Sequence, residues 1–179
     1  MAITIAVDAM GGDHGLTVTV PASIDALNTF SDIHIVLVGQ EPLVQAELAK
    51  HQYDASRITV QHADQIVEMD DLPSKALRNK RQSSMRIALN LVKDDEAQAC
   101  VSAGNTGALM AVAKFVLKTI PGIDRPAICT SMPTMKGHVH VLDLGANVGC
   151  TGENLMQFAL MGSVLTQAVD DNPKPRVGL

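Results

Sequence analysis

The chain has no tryptophan, one tyrosine and three phenylalanines among its 179 residues, so nucleic-acid bases would find almost no rings to stack on. A formal charge of −5 also denies a phosphate backbone the broad basic footprint it requires. Nucleic acid is therefore not expected as a partner. Cysteine is scarce as well. Cys100, Cys129 and Cys150 stand far apart without metal-ligand spacing, which excludes a disulfide framework and a cysteine-bound zinc site. Each is expected to be a small buried hydrophobe in a reducing compartment. Neither a metal nor a cofactor is expected. No apolar run approaches the ~20 residues that cross a bilayer. Met1 to Val7 is too short for a signal sequence before Asp8 interrupts it. A cytoplasmic chain is expected, with at most peripheral attachment to a membrane.

What is present is small and aliphatic. Hydrophobic residues make up 46% of the chain, enough for one domain over 1–179 with a sizeable core. Ala, Val, Leu, Ile and Met suit tight packing of helices on a sheet. Ile3 to Val7, Ile33 to Val38 and Arg57 to Val60 are β-branched apolar runs, separated by the helical segments Leu16 to Leu27 and Glu41 to about Lys50. This short-period alternation predicts an α/β fold, a mostly parallel sheet with helices on both faces. The last residues, Pro173 to Leu179, read as a loop entering a further strand, so the chain is expected to be the N-terminal part of a longer one.

Three strand ends carry the chemistry. Val101-Ser102-Ala103-Gly104-Asn105-Thr106-Gly107 leads from an apolar strand to a helix over Ala108 to Ile120. Gly104 and Gly107 admit close approach to the backbone, and Asn105 or Thr106 is an N-cap. Amides that point out of a helix start attract anions, phosphate above all. Asp8-Ala9-Met10-Gly11-Gly12-Asp13-His14-Gly15 repeats the design after the first strand. Its spacing is neither the dinucleotide fingerprint nor the P-loop. Asp8 and Asp13 would repel a phosphate directly, so they bind turn amides, orient a donor or accept a proton. Leu144-Gly145-Ala146-Asn147-Val148-Gly149 follows the run Val139 to Asp143 as a third such turn, and a helix over Glu153 to Ala168 comes next. Lys136-Gly137 predicts a hairpin between this run and the strand Arg125 to Pro133. Ligands in open α/β sheets sit beyond the carboxyl ends of strands, where these turns are expected to converge.

A charged segment interrupts the alternation. Lys75, Arg78, Lys80 and Arg81 are four basic residues within seven positions, and Lys75 and Arg78 share a helix face at i, i+3. They suit phosphate, an acidic partner or plain solvent. Ser83 and Ser84 would cap the helix from Met85 to about Val92.

Val-Asp-Ala-Met-Gly-Gly-Asp at 7–13, Ser-Ala-Gly-Asn-Thr-Gly-Ala at 102–108 and Leu-Asp-Leu-Gly-Ala-Asn-Val at 142–148 resemble the signature segments of the PlsX family. These are acyl-ACP:phosphate acyltransferases of bacterial phospholipid synthesis. The intervening 73–85 and 157–163 segments fit the same pattern. The resemblance implies a three-layer α/β/α fold similar to isocitrate dehydrogenase and phosphotransacetylase, a homodimer, and a chain of over three hundred residues. It also implies transfer of an acyl group from acyl carrier protein to inorganic phosphate. Under it, the turns with Gly11, Gly12, Asp13, Ser102, Gly104, Thr106 and Gly107, together with Arg78, hold phosphate or acyl phosphate. Asp8, Lys75, Asn105, Asp143 and Asn147 supply charge, hydrogen bonds or proton handling. Gly149 departs from the family, which commonly has Asp there. The alternatives are a phosphotransacetylase-like enzyme using acyl-CoA and a catalytically silent domain that binds phosphate and acyl carrier protein.

Overall fold

A computed structural model describes residues 3–179. Its contacts group into two compact units, one ending at Lys118 and one running from Thr119 to Leu179, where length alone suggested a single domain. The second unit has its own hairpin and helix, and each unit is described by itself.

In the first unit four parallel strands, β1 (Ile3–Asp8), β2 (Ile33–Gly39), β3 (Ile58–His62) and β4 (Ala99–Ser102), stand in the order β3-β2-β1-β4. Ile5 pairs with Ile35 on one side of β1 and with Ala99 on the other. Helices α1 (Leu16–Thr29) and α2 (Glu41–Leu48) cover one face. Their Val20, Ile24, Leu27, Val44 and Leu48 bury Ile35, Leu37 and Ile58. On the other face α4 (Ser84–Lys93) packs Ala88 against Ala6 and Val38. Helix α5 (Thr106–Leu117) backs α4 through Val112 and Val116 against Leu89. These are the three layers and the mostly parallel sheet read from the alternating runs.

Strand order follows from the connections. From β1 the chain moves outward to β2 and β3, then returns past α3 (Pro73–Asn79) and α4 to place β4 on the opposite side of β1. The carboxyl ends of β1 and β4 therefore flank the point where the winding reverses, the place where such sheets open a crevice. Arg57 fastens the α1–β2 turn: its guanidinium donates to the carbonyls of Leu27 (2.9 Å), Ile33 (3.0 Å) and Phe30.

In the second unit β5 (Cys129–Thr134) and β6 (Gly137–Leu142) form the expected antiparallel hairpin, closed where Thr134 faces Gly137. Helix α6 (Gly152–Asp170) follows. Thr151 caps it through a reciprocal box with Asn154, whose amide N–H donates to Thr151 Oγ1 at 3.3 Å. Phe158 and Ile123 are buried, while Leu155, Met156, Leu160, Val164 and Val169 of α6 are exposed. Among the described residues no helix is long and apolar enough to cross a membrane.

Candidate functional site

The turns after β1 and β4 interlock. The Gly104 amide donates to Ser102 Oγ at 3.1 Å, and the Ser102 hydroxyl donates to Asp8 Oδ2 at 2.7 Å. This relay joins residues 94 positions apart, and β1–β4 pairing brings them together by setting Asp8 opposite Ser102. Glycine is required where the turns meet. A Cβ on Gly11 would lie 2.6 Å from Asp8 Oδ2 and 3.0 Å from the Gly104 amide nitrogen. Gly12, at φ +91°, occupies the left-handed region, and a Cβ on it would lie 3.1 Å from the Ala103 carbonyl oxygen.

Asp8 is a buried carboxyl, 1% exposed. Burial pushes its pKa above the usual aspartate range, against the pull of the Ser84 and Ser102 hydroxyls and the Met10 and Gly11 amides. Oδ1 makes no well-directed hydrogen bond, nor does the equally buried Ser84 hydroxyl. The Asp8 carboxyl and the Ser84 hydroxyl are thus buried together without a well-directed bond between them, at the strand end where the winding reverses.

Asn105 is the N-cap of α5, its Oδ1 accepting from the Ala108 amide at 3.0 Å. Its Nδ2 donates to the carbonyls of Met69 and Asp71 at 2.9 Å and of Glu68 at 3.3 Å. The Asn105 side chain thus ties the start of α5 to the 68–71 loop, because the cap aims Nδ2 at that backbone. Ser102 is likewise hydrogen-bonded to Asp8. The amides of Thr106 and Gly107 begin α5, where N–H groups have no intrahelical partner. Gly107 is held against α3, where an added Cβ would lie 3.0 Å from Pro73 Cγ.

Lys75 and Arg78 lie on α3 with both side chains exposed. Lys80 is committed elsewhere, paired with Asp71 and donating to the Ile66 carbonyl at 2.6 Å. Asp13 and His14 are exposed. Ser83 caps α4, accepting from the Arg86 amide at 3.3 Å.

The third turn belongs to the second unit and closes on its own backbone. Asp143 Oδ1 accepts from the Ile128 amide at 3.0 Å and Oδ2 from the Asn147 amide at 2.6 Å. Asn147 Nδ2 donates to the Pro126 carbonyl at 2.8 Å. Burial pushes the Asp143 carboxyl up, yet the Ile128, Asn147 and Leu144 amides and the Asn147 side chain hold it below the usual range. Gly149 sits at φ +70° with open space around it, so a residue tolerant of the left-handed region suffices there.

Two of the cysteines are disfavoured as thiolates. Burial and the Asp8 charge push the Cys100 thiol up to about 12, and burial raises Cys129 as well. Cys150, expected to be buried, is exposed, with Sγ 3.7 Å from the Asn147 carbonyl.

Sequence reading missed the Ser84 hydroxyl beside Asp8, although Ser83-Ser84 had been marked as a cap. It also passed over His138-x-His140, a pair spaced to share one face of a strand.

The chain is similar to known proteins in sequence and in fold. A family model described as fatty acid synthesis protein matches residues 3–179. The phosphate acyltransferase of Hydrogenovibrio crunogenus is 79% identical over 179 residues, all of this chain and 53% of that protein. The phosphate acyltransferase of Legionella pneumophila is 58% identical over 99% of this chain and 52% of its own length. The chain thus spans about half the length of the curated relatives it matches. Two solved structures share the fold. EutD phosphotransacetylase from Staphylococcus aureus has a TM-score of 0.64 at 19% identity, covering 93% of this chain and 53% of that one. A phosphotransacetylase from Streptococcus pyogenes has a TM-score of 0.70 at 17% identity, covering 96% and 55%. From its signature turns to the match over nearly its whole length, the chain belongs to the fatty acid synthesis protein family, the PlsX family that those turns resemble.

Proposed function

We propose that the chain is the phosphate-holding portion of an acyltransferase that moves a fatty acyl group from acyl carrier protein to inorganic phosphate. The observation that carries this reading is the pair of glycine turns locked by the Gly104–Ser102–Asp8 relay at the winding reversal. It is found in a chain 79% identical to a phosphate acyltransferase.

The chemistry asks little of side chains. A phosphate oxygen attacks the thioester carbonyl, the carbon–sulfur bond breaks, and the departing thiolate takes up the proton that phosphate releases. Both reactants are already activated, so the protein holds them in attacking geometry and stabilises the tetrahedral oxyanion. In this reading the amides of Gly12, Thr106 and Gly107 hold phosphate, the Gly11 and Gly104 amides shape the turns by bonding Asp8 and Ser102, and Lys75 and Arg78 supply positive charge. Asp8, Ser102 and Asn105 are positioning residues that fix the turns. Asp143 and Asn147 order their own turn for the acyl donor. A cytoplasmic homodimer with peripheral membrane contact belongs to the same proposal.

The test is acyl phosphate formation from acyl-ACP and inorganic phosphate, run on these 179 residues and on a polypeptide with the full length of the relatives. Turnover by the longer protein alone makes these residues the binding portion, and turnover by both places every essential group within them. Turnover by neither overturns the reading in favour of a silent binding domain. Turnover with acyl-CoA but not acyl-ACP favours the phosphotransacetylase-like alternative.

A further inference from the structure

His138 and His140 alternate with Val139 on β6, so both rings lie on one face of the hairpin. The rings stand edge to face with centroids 5.0 Å apart. Asp170, in the last turn of α6, reaches the same face. Its Oδ2 lies 3.0 Å from His138 Nε2 and 2.9 Å from His140 Nε2. The three ligand atoms all fall within 4.8 Å of one another. Ligand atoms about 2.1 Å from a metal stand about 3.0–3.4 Å apart at right-angle to tetrahedral separations, so the two carboxylate–imidazole distances are already close to those around a shared ion.

The electrostatics point the same way. Two ring nitrogens converge on one carboxylate oxygen, a donor set that a divalent cation can share once the rings are deprotonated at Nε2. Ser131, opposite His140 in the hairpin register, sits 2.8 Å from His140 Nδ1. A neutral His140 that donates from Nδ1 to Ser131 Oγ turns its Nε2 lone pair toward Asp170. That is the usual outer-shell arrangement of a metal-ligating histidine. The side chain of His140 is 9% exposed and that of His138 48%, so the site is closed on one side and open to water on the other. We propose that His138, His140 and Asp170 bind a zinc-class divalent cation, with Ser131 orienting His140 and water completing the shell. Two imidazoles and one carboxylate favour such an ion over magnesium or calcium, which prefer oxygen donors alone. The bound ion pins β6 to the end of α6.

The untagged 179-residue chain, stripped of metal and titrated with Zn(II) by calorimetry at about pH 7.5, where histidine is ordinarily neutral, tests this. One zinc per chain is expected, and Co(II) in its place should show the intense visible bands of a low-coordinate site. His140→Gln and Asp170→Asn should each weaken binding at least tenfold. Ser131→Ala should weaken it about tenfold, the scale of a lost outer-shell partner. His62→Gln removes the ring that lies 2.9 Å from Asp64 and should change nothing. In the unsubstituted chain, one equivalent of zinc should shift the imidazole signals of His138 and His140 and leave those of His14, His34 and His51 in place. That readout holds even where a variant misfolds. No binding, binding that survives Asp170→Asn with His140→Gln, or shifts confined to the other histidines would each overturn the proposal.

Discussion

The turns after β1 and β6 share a local recipe, an apolar strand ending on aspartate, then glycines and a helix, yet their carboxylates behave in opposite ways. Asp8 ends the interior strand β1, 1% exposed and raised in pKa by burial. Its partner Ser102 comes from a strand 94 positions away. Asp143 collects the amides of Ile128 and Asn147 and is lowered in pKa. One aspartate joins two crossover-separated strands, whereas the other closes a loop on its near neighbours. A strand-end aspartate therefore does not define a site. The placement of its strand in the sheet decides whether the carboxyl is spent on local backbone or held beneath a crevice.

The asparagines offer the sharpest way to break this contrast. Asn105→Ala removes both the cap on Ala108 and the anchor of the 68–71 loop, and should cost about 2–3 kcal/mol in urea unfolding. In the longer protein it should also depress acyl phosphate formation, by loosening the turn rather than by losing a phosphate ligand. Full activity there would remove Asn105 from the mechanism. Asn147→Ala gives up the Pro126 carbonyl and a weak contact to Asp143, and should cost about 1 kcal/mol.

The glycines extend the test. Gly11→Ala forces a methyl against Asp8 Oδ2 and the Gly104 amide, and overpacking of this kind should cost about 2 kcal/mol. Gly145→Ala meets open space and pays only for its φ of +78°, about 1 kcal/mol. Equal losses in parallel denaturation curves would mean that the β1 and β4 turns are less tightly interlocked than their distances indicate.

These contrasts also show where sequence reading stopped. The strand Ile3–Asp8, the helix start at Asn105 and the hairpin at Lys136-Gly137 were legible because each depends on residues within a few positions. The three layers followed from strand and helix alternation. The commitment of the Asn105 side chain to the Met69 and Asp71 carbonyls was not legible, nor was the Ser102–Asp8 bond. The meeting of Asp170 with His140, 30 positions earlier, was equally hidden. Strand order and helix length set each of these meetings, and no local pattern encodes them. The division at Lys118 was missed for a related reason, since composition does not change there while the long-range contacts do.

The two aspartates should separate by pH as well. Asp8 has a raised folded pKa, so its contribution to stability is complete below the ordinary aspartate value and lost as pH rises through the raised one. Asp143 has a lowered folded pKa, so its contribution is present above the ordinary value and lost as pH falls through the lowered one. Asp8→Asn should therefore raise the melting temperature relative to the parent at neutral pH, with the gain shrinking on acidification. Asp143→Asn should lower it at neutral pH, with the deficit shrinking on acidification. Melts between about pH 2 and 8, which span the ordinary aspartate value of about 3.9, would show the Asp8 slope above that value and the Asp143 slope below it. Parallel curves for the two variants would mean that Asp8 is as well solvated as Asp143.

The smallest effect on stability is expected from the exposed cations of α3, and it bears most directly on function. Lys75 and Arg78 lie on a helix whose first residue abuts Gly107, while Lys80 on the same segment is tied to Asp71 and Ile66. Replacing both Lys75 and Arg78 with Ala should shift unfolding by less than about 0.5 kcal/mol, as for surface positions in general. If these side chains supply charge to phosphate, the same change should raise the KM for phosphate in the longer protein and leave that for acyl-ACP in place. The phosphate effect should also fade as salt screens it. A KM change for acyl-ACP alone would assign α3 to the acidic carrier protein. No change in either would leave the anion entirely to the backbone amides at Gly12, Thr106 and Gly107, and the contrast between the two turns would then lie wholly in the main chain.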